Sequence, residues 1–498
     1  MSWKQRILRG SGQVALGEAV GYAASFVRNM ILARLLSKAD FGIAATFAMM
    51  ISLLEFSSRL GISRIVVRDK EGDDPAFVAT AHMVQALTAL VSALLMVGAA
   101  WPMSRVFGIP EHAPTLTLLA FIPLLLGFAH LDVRRFERQL NFAASTKVEV
   151  ISQLVVTAVA WPITRAFGDF HAVLAILILK ALVSCLASFA YSRQPYRWQY
   201  HREYALRMLQ FGWPLIVNGF LMFCLVRGDQ FIVATFYLKS DLGAFAAAAA
   251  LTTAPTLFFN RVFASVVLPV MSKAQDDTQA FQRRYRMVIA VIAAFSAAYS
   301  AGVIIASEAL MRLVYGTKYE NTGIILAWIT AANTVRTLRL AGAVAAMAKG
   351  DSKNEMISSL GGGLSLALSF AIAMLHFPVW CVACASLTGE CVSCAISFWR
   401  LSRRDSIPLL NSVAPAGLVL LVATAVGSVA SLGIWRLPVS PALLVGLLVA
   451  ATAGALVTFS LGDSRREVFS MWRNLRTSGW RSVLSGERSP AHQASANP

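Results

Sequence analysis

The chain has 498 residues, of which 57% are hydrophobic and 14% charged, whereas a soluble domain runs about 45–50% apolar and about 25% charged. That balance excludes a water-soluble protein; six cysteines exclude a disulfide scaffold, and 29 Phe with 11 Trp exclude a disordered chain. A formal charge of +18 would suit a nucleic-acid binder, but its distribution along the chain argues otherwise.

A bilayer core about 30 Å thick takes about 20 apolar helical residues per crossing. Fourteen such runs occur, near 12–35, 41–62, 77–100, 114–132, 145–167, 171–191, 212–236, 242–269, 288–311, 323–347, 356–377, 380–399, 409–434 and 440–461. The third, Phe77 to Ala100, holds His82 and Gln85 but no formal charge, and the last, Pro441 through Leu461, holds none. None alternates apolar with polar as barrel strands do. The predicted fold class is therefore an all-α membrane protein of about fourteen transmembrane helices.

Residues 1–10, with Lys4, Arg6 and Arg9, precede a run containing Glu18 and Arg28 and no small-residue cleavage site. This predicts a permanent first span behind a short interfacial helix, not a cleaved signal. Residues 201–210 predict the same device before the seventh span. Over 465–480, Val468, Trp472 and Leu475 share one helical side among arginines, which predicts a helix on the membrane surface. From about Ser485 the chain is polar and is predicted to be disordered.

With residue 1 cytoplasmic, thirty of the 44 Lys and Arg fall on the cytoplasmic side. Seven fall on the opposite side (Lys38, Arg105, Arg165, Lys239, Arg312, Lys318 and Arg436) and seven at membrane depth. This is the positive-inside pattern, and it puts both termini in the cytoplasm. The basic excess is topological, and no nucleic-acid partner is expected.

The stretch 32–42, LARLLSKADFG, returns as 233–243, VATFYLKSDLG, at an offset of 201 residues. Each copy ends one span, turns at Lys-x-Asp-x-Gly and starts an Ala-rich span. Six spans separate the copies, so the repeats are parallel, related by an axis along the membrane normal. The expected organisation is an N-lobe over 1–200 with spans one to six and a C-lobe over 201–400 with spans seven to twelve. Two extra spans over 401–462 and a cytoplasmic tail over 463–498 follow. Two such halves rocking about a central cavity give alternating access.

Arg34 to Gly42, followed by an apolar span and Leu60-Gly61-Ile62, resembles the opening of bacterial polysaccharide exporters and oligosaccharide flippases. Asp229-Gln230-Phe231-Ile232 through Leu242-Gly243, leading to Val267-Leu268-Pro269-Val270-Met271, resembles them as well. These belong to the multidrug/oligosaccharidyl-lipid/polysaccharide exporter superfamily. The resemblance implies two lobes of twelve or fourteen helices in a bacterial inner membrane. It also implies movement of lipid-linked sugar units to the outer leaflet for exopolysaccharide, capsule or O-antigen.

An ionisable side chain at membrane depth is costly and faces an interior, a cavity or a partner. The basic ones are Arg28, Arg34, Lys180, Arg227, Arg261, Arg336 and Arg339; the acidic ones are Glu18, Glu55, Glu149, Asp229, Glu308 and Glu390. A lipid diphosphate carries about two negative charges, and moving one such ion into a low-dielectric medium costs on the order of 20 kcal/mol uncompensated. Planar guanidinium groups answer that with paired, charge-assisted hydrogen bonds. The expected substrate-binding residues are Arg28, Arg59, Arg227, Arg261 and Arg34. The resemblance adds that related flippases carry arginines on their first, second and eighth helices, a pattern Arg28, Arg59 and Arg261 match by position.

Competing structural roles stand beside this. Arg34, Arg59 and Arg339 can snorkel to an interface, Arg28 and Arg261 can be interhelical, and Lys180 can contact another helix or its own lobe's interior. Arg227 and Asp229 are i, i+2 and face different sides of one helix, so Asp229 is expected to meet Arg28 or Arg261 instead. Asp229, Glu55 and Glu390 are the candidates for ion coupling by H+ or Na+, because no phosphate-binding loop is present.

Other motifs carry less. Cys381-x-x-Cys384 and Cys391-x-x-Cys394 lie along one span without the turns a zinc module needs, so they are read as small packing residues. The histidines are scattered, and Asp73-Asp74 and Asp276-Asp277 are read as solvated turns. No cofactor or metal is expected and the chain is not read as an enzyme. Its partners are a lipid-linked oligosaccharide, membrane lipids, a coupling ion and the polymerase machinery acting on the exported units. Two alternatives remain: an ion-coupled multidrug antiporter of the same superfamily, favoured by an acidic cavity, and a membrane polysaccharide polymerase or ligase, which needs a large extracytoplasmic loop.

Overall fold

The computed structural model describes residues 3–58, 61–351, 353–405, 407–431 and 437–460, which form helices and short turns with no strand among them. The helices are α1 (Trp3–Leu35), α2 (Lys38–Ser58), α3 (Ile62–Arg68), α4 (Pro75–Val106), α5 (Ala113–Thr117), α6 (Phe121–Gly127) and α7 (Asp132–Arg138). Next come α8 (Ala143–Phe167), α9 (His171–Ala190), α10 (Arg202–Phe236), α11 (Lys239–Ser272), α12 (Thr278–Ile305) and α13 (Ser307–Tyr315). The last six are α14 (Gly323–Ala348), α15 (Lys353–Gly361), α16 (Gly363–Met374), α17 (Val379–Asp405), α18 (Leu410–Ser431) and α19 (Val439–Ser460).

Among the described residues, ten helices are long and apolar enough to cross a membrane, and the bent segment 110–138 makes an eleventh. The other three expected spans coincide with α1, α2 and α14, helices of 33, 21 and 26 residues. Charged residues within α1 and α14 lower their apolarity. Large aliphatic side chains stand uncovered along the spans, with Leu94 63% and Leu448 67% exposed. A lipid solvent accounts for such surfaces and water does not. The chain is a multi-pass membrane protein.

Three elements differ from the sequence expectation. The fourth span, 114–132, is not one straight helix: the chain bends by 54° between the segments 110–127 and 132–138, at a break whose backbone groups are taken up by side chains of α4 and α9. The polar residues of the third span serve this corner. Gln85 Nε2 donates to the Gly127 and Ala129 carbonyls, each at 2.9 Å, and His82 Nε2 accepts from the Leu131 amide at 3.0 Å. The eleventh span is two helices, α15 and α16, joined at Gly362, with Gly361 against the Ser393 backbone of α17. The interfacial helix expected over 201–210 is not separate. It continues into the seventh span as the 35-residue α10, because nothing between 202 and 211 breaks a helix. The expected surface helix over 465–480 and the polar tail lie outside the described residues.

The chain groups into two compact units. The first comprises Met1–Phe258, Met311–Leu326 and Leu366–Ala385; the second comprises Phe259–Leu310, Ala327–Ser365 and Ser386–Pro498. In the first, α1 packs along α8, where Gly17 lies against Thr146 and Thr157 Oγ1 donates to Ala24 O at 3.1 Å. The start of α10 docks Ala205 and Met208 into a cluster with Ile62, Ile65, Val66 and Phe77. In the second unit, α12 carries small residues that let α19 approach closely, Gly302 against Ala450 and Gly446 against Ala306. Close contact between small residues replaces the hydrophobic effect as the adhesive between helices in lipid. The two last helices, outside the repeat, thus find their seat on α12.

Candidate functional site

Within the first unit, Arg28 lies two turns before the end of α1 and faces α8. Its Nη1 donates to Gln153 Oε1 at 2.7 Å and its Nη2 to Ser25 Oγ at 3.0 Å. The other end of the Gln153 amide donates to Glu149 Oε1 at 2.9 Å, and that oxygen stands 3.5 Å from Lys180 Nζ on α9. Lys180 therefore contacts the interior of its own group of helices. Cation, amide, carboxylate and cation form one chain across α1, α8 and α9.

On α10, Arg227 Nη1 donates to Gln230 Oε1 at 2.9 Å, and Asp229 accepts from Ser369 Oγ of α16 at 3.2 Å. The two ionised residues face different partners, as their i, i+2 spacing requires. The 201-residue offset puts Asp229 at the position of Arg28, so α1 and α10 carry opposite charges at one register of the repeated segment.

The repeated turns meet. A Cβ on Gly42 would overlap the Lys239 carbonyl, and a Cβ on Gly243 would overlap the Lys38 carbonyl, so each Lys-x-Asp-x-Gly turn packs its glycine on the other's backbone. A second reciprocal contact lies beside it. Arg34 Nε donates to Val314 O at 2.8 Å and Nη2 to Leu313 O, while Lys318 Nζ donates to Arg34 O at 2.8 Å and to Leu36 O. Leu36 is fully buried beneath these contacts. Arg34, penultimate in α1, thus clasps backbone carbonyls at the helix end. Burial of Lys318 lowers its pKa, an effect that Asp40 offsets in part.

In the second unit, Arg261 is an exposed residue of α11. Glu390 of α17 is 12% exposed and pairs with Arg336 of α14 at 2.6 Å, with Arg339 Nε 3.9 Å from its second oxygen. Arg339 also donates to Glu355 of α15 at 2.9 Å. Glu390 is thus a shared anion between two arginines one helical turn apart. The four cysteines singled out by spacing lie along α17, all with free thiols. Arg59 lies outside the described residues, and the side chain of Glu55 is likewise not described.

The structure brings together Arg28, Glu149 and Lys180, and separately the two repeated turns. Charge counting missed Gln153, Gln230 and Ser369, which are neutral. Gln153 did carry a signal, as a polar amide in a mainly apolar span one helical turn after Glu149.

Residues 31–323 match the family described as "Polysaccharide biosynthesis protein". The succinoglycan biosynthesis transport protein ExoT of Rhizobium meliloti (strain 1021) is 22% identical over 63% of this chain and 63% of its own length. The lipopolysaccharide biosynthesis protein WzxC of Escherichia coli (strain K12) is 20% identical over 64% of this chain and 65% of its own. The chain therefore spans just under two thirds of the length of these relatives. Among solved structures, lipid II flippase MurJ in an inward closed conformation superposes with a TM-score of 0.65 at 13% identity. That match covers 91% of this chain and 99% of that one, a likeness of fold.

Proposed function

We propose that this chain, which belongs to the polysaccharide biosynthesis protein family, is a flippase of the multidrug/oligosaccharidyl-lipid/polysaccharide exporter superfamily. Its substrate is a polyprenyl-diphosphate-linked oligosaccharide unit, moved to the outer leaflet of the inner membrane for assembly of a cell-surface polysaccharide. The family match over residues 31–323 carries this reading, and the names of ExoT and WzxC agree with it.

Movement is by alternating access of an N-lobe over 1–200 and a C-lobe over 201–400, with both termini cytoplasmic. Arg28, Arg59, Arg227 and Arg261 supply the positive charge that takes a diphosphate out of water. Arg34 acts at the clasp beside the repeated turns. Guanidinium suits the task because it stays ionised and matches phosphate oxygens two at a time. An H+ or Na+ gradient drives net movement, with Asp229, Glu55 and Glu390 as the acceptors. No bond is made or broken in the substrate, and the polymerase receives the unit after it has crossed.

The test is a charge series in cells lacking the wild-type gene. Arg28→Ala and Arg261→Ala abolish appearance of lipid-linked units in the outer leaflet at normal protein levels, Arg28→Lys restores part of it, and collapsing both ion gradients stops the wild type. Full activity of both alanine variants removes the arginines from the mechanism, and movement without either gradient removes ion coupling.

A further inference from the structure

The chain from Arg28 to Lys180 contains an arrangement that a simple ion pair would not need. Glu149 and Arg28 attract one another, yet the contact between them runs through the Gln153 side chain, which is 8% exposed. The two neighbours assign the amide's orientation: its carbonyl oxygen faces the guanidinium and its NH2 faces the carboxylate. Gln153 is itself held, because Thr157 Oγ1 bridges the Gln153 carbonyl at 2.7 Å and Ala24 O of α1 at 3.1 Å. With Ser25 on the other amino group, the amide fixes Arg28 through dipoles and leaves its formal charge uncancelled by direct contact with an anion.

We propose that Gln153 is a positioning residue for the substrate diphosphate: it holds the Arg28 guanidinium in one orientation and keeps the Glu149 carboxylate from pairing with it directly. This rests on Arg28 as a phosphate-binding group. A carboxylate bound straight to Arg28 would compete with the ligand for the same N–H groups, whereas an amide oxygen orients them at no cost in charge. The Gln153 site discriminates by charge, so an acid of the same shape is inhibitory when ionised.

The experiment measures the Kd of a C15 polyprenyl diphosphate for the full chain in lipid nanodiscs, with the thermal midpoint recorded for each variant. Gln153→Glu, whose carboxylate pairs with Arg28, is expected to bind at least about tenfold more weakly than wild type at pH 7.5 while keeping the wild-type thermal midpoint. Gln153→Met, which lacks the acceptor, is expected to bind about tenfold more weakly. A structural role alone lowers the thermal midpoint together with the affinity. Wild-type affinity in Gln153→Met, or a loss of affinity in Gln153→Glu that only follows a lowered midpoint, overturns the proposal, and the methionine variant decides alone if the acid variant does not fold. Arg28→Ala separates the two readings: if it loses binding and the Gln153 variants do not, only the positioning role falls. If Arg28→Ala binds as wild type, the phosphate-binding role of Arg28 falls and takes this proposal with it.

Discussion

The arginines at membrane depth are answered by three kinds of group among the contacts described. Arg28 and Arg227 are held by glutamine oxygens, Arg34 by backbone carbonyls and Arg336 by a carboxylate. A neutral acceptor orients a cation and leaves its charge; a carboxylate cancels it. The Arg336–Glu390 pair therefore has the chemistry of a stabilising contact. Removing one partner of such a pair strands the other charge, a loss of about 1–3 kcal/mol once the partial exposure of Arg336 is allowed for. In a double-mutant cycle, Glu390→Met and Arg336→Met are each expected to lower the thermal midpoint, and the double variant by less than their sum. The coupling energy is expected to exceed about 1 kcal/mol, and additivity would remove the pair from the stability of the second unit. Reading charges from the sequence found every one of these arginines but not what answers them. Asp229 was expected to meet Arg28 or Arg261; Arg28 is held by Gln153, since an uncharged amide 125 residues away leaves no mark in a charge count.

Helix boundaries follow from backbone chemistry as much as from apolarity. The runs over 145–167, 171–191, 409–434 and 440–461 match α8, α9, α18 and α19 within a few residues. The break at Gly361–Gly363 falls at three consecutive glycines, which weaken a helix, inside a run read over 356–377 as one span. The broken fourth span was not legible, since hydropathy averages side chains and does not register which backbone groups of 127–131 other side chains take up. His82 and Gln85 were visible as polar residues in the third span, but their task at the corner after α6 emerges only in three dimensions. The repeated turn was fully legible as a repeat, whereas its packing on its own copy was not. Glycine is required at both crossings, since any side chain would displace the opposing carbonyl. Gly42→Ala and Gly243→Ala are each expected to part the turns. The readout is a Leu36→Cys reporter, whose labelling by a membrane-impermeant maleimide should rise severalfold in either variant. Unchanged labelling in both would mean that the turns tolerate the extra carbon without separating.

At the scale of the molecule, the fold is set by lipid. Apolar side chains cover the outside of the spans as well as their packed interior, and close contact of small residues fastens α19 to α12. The internal duplication provides two equivalent turns that pack reciprocally, and it carries Arg28 and Asp229 as opposite charges at one register. The family match places the chain among polysaccharide biosynthesis proteins, and the proposed function is movement of a lipid-linked unit between leaflets. The most direct measurement is head-group accessibility of lipid-linked units in spheroplasts, with and without the gene. Deletion is predicted to leave the units inaccessible from outside and accumulated on the inner leaflet, with accessibility restored by the wild-type chain. Units reaching the outer leaflet at the normal rate in the deletion strain, with no second carrier present, would contradict the account.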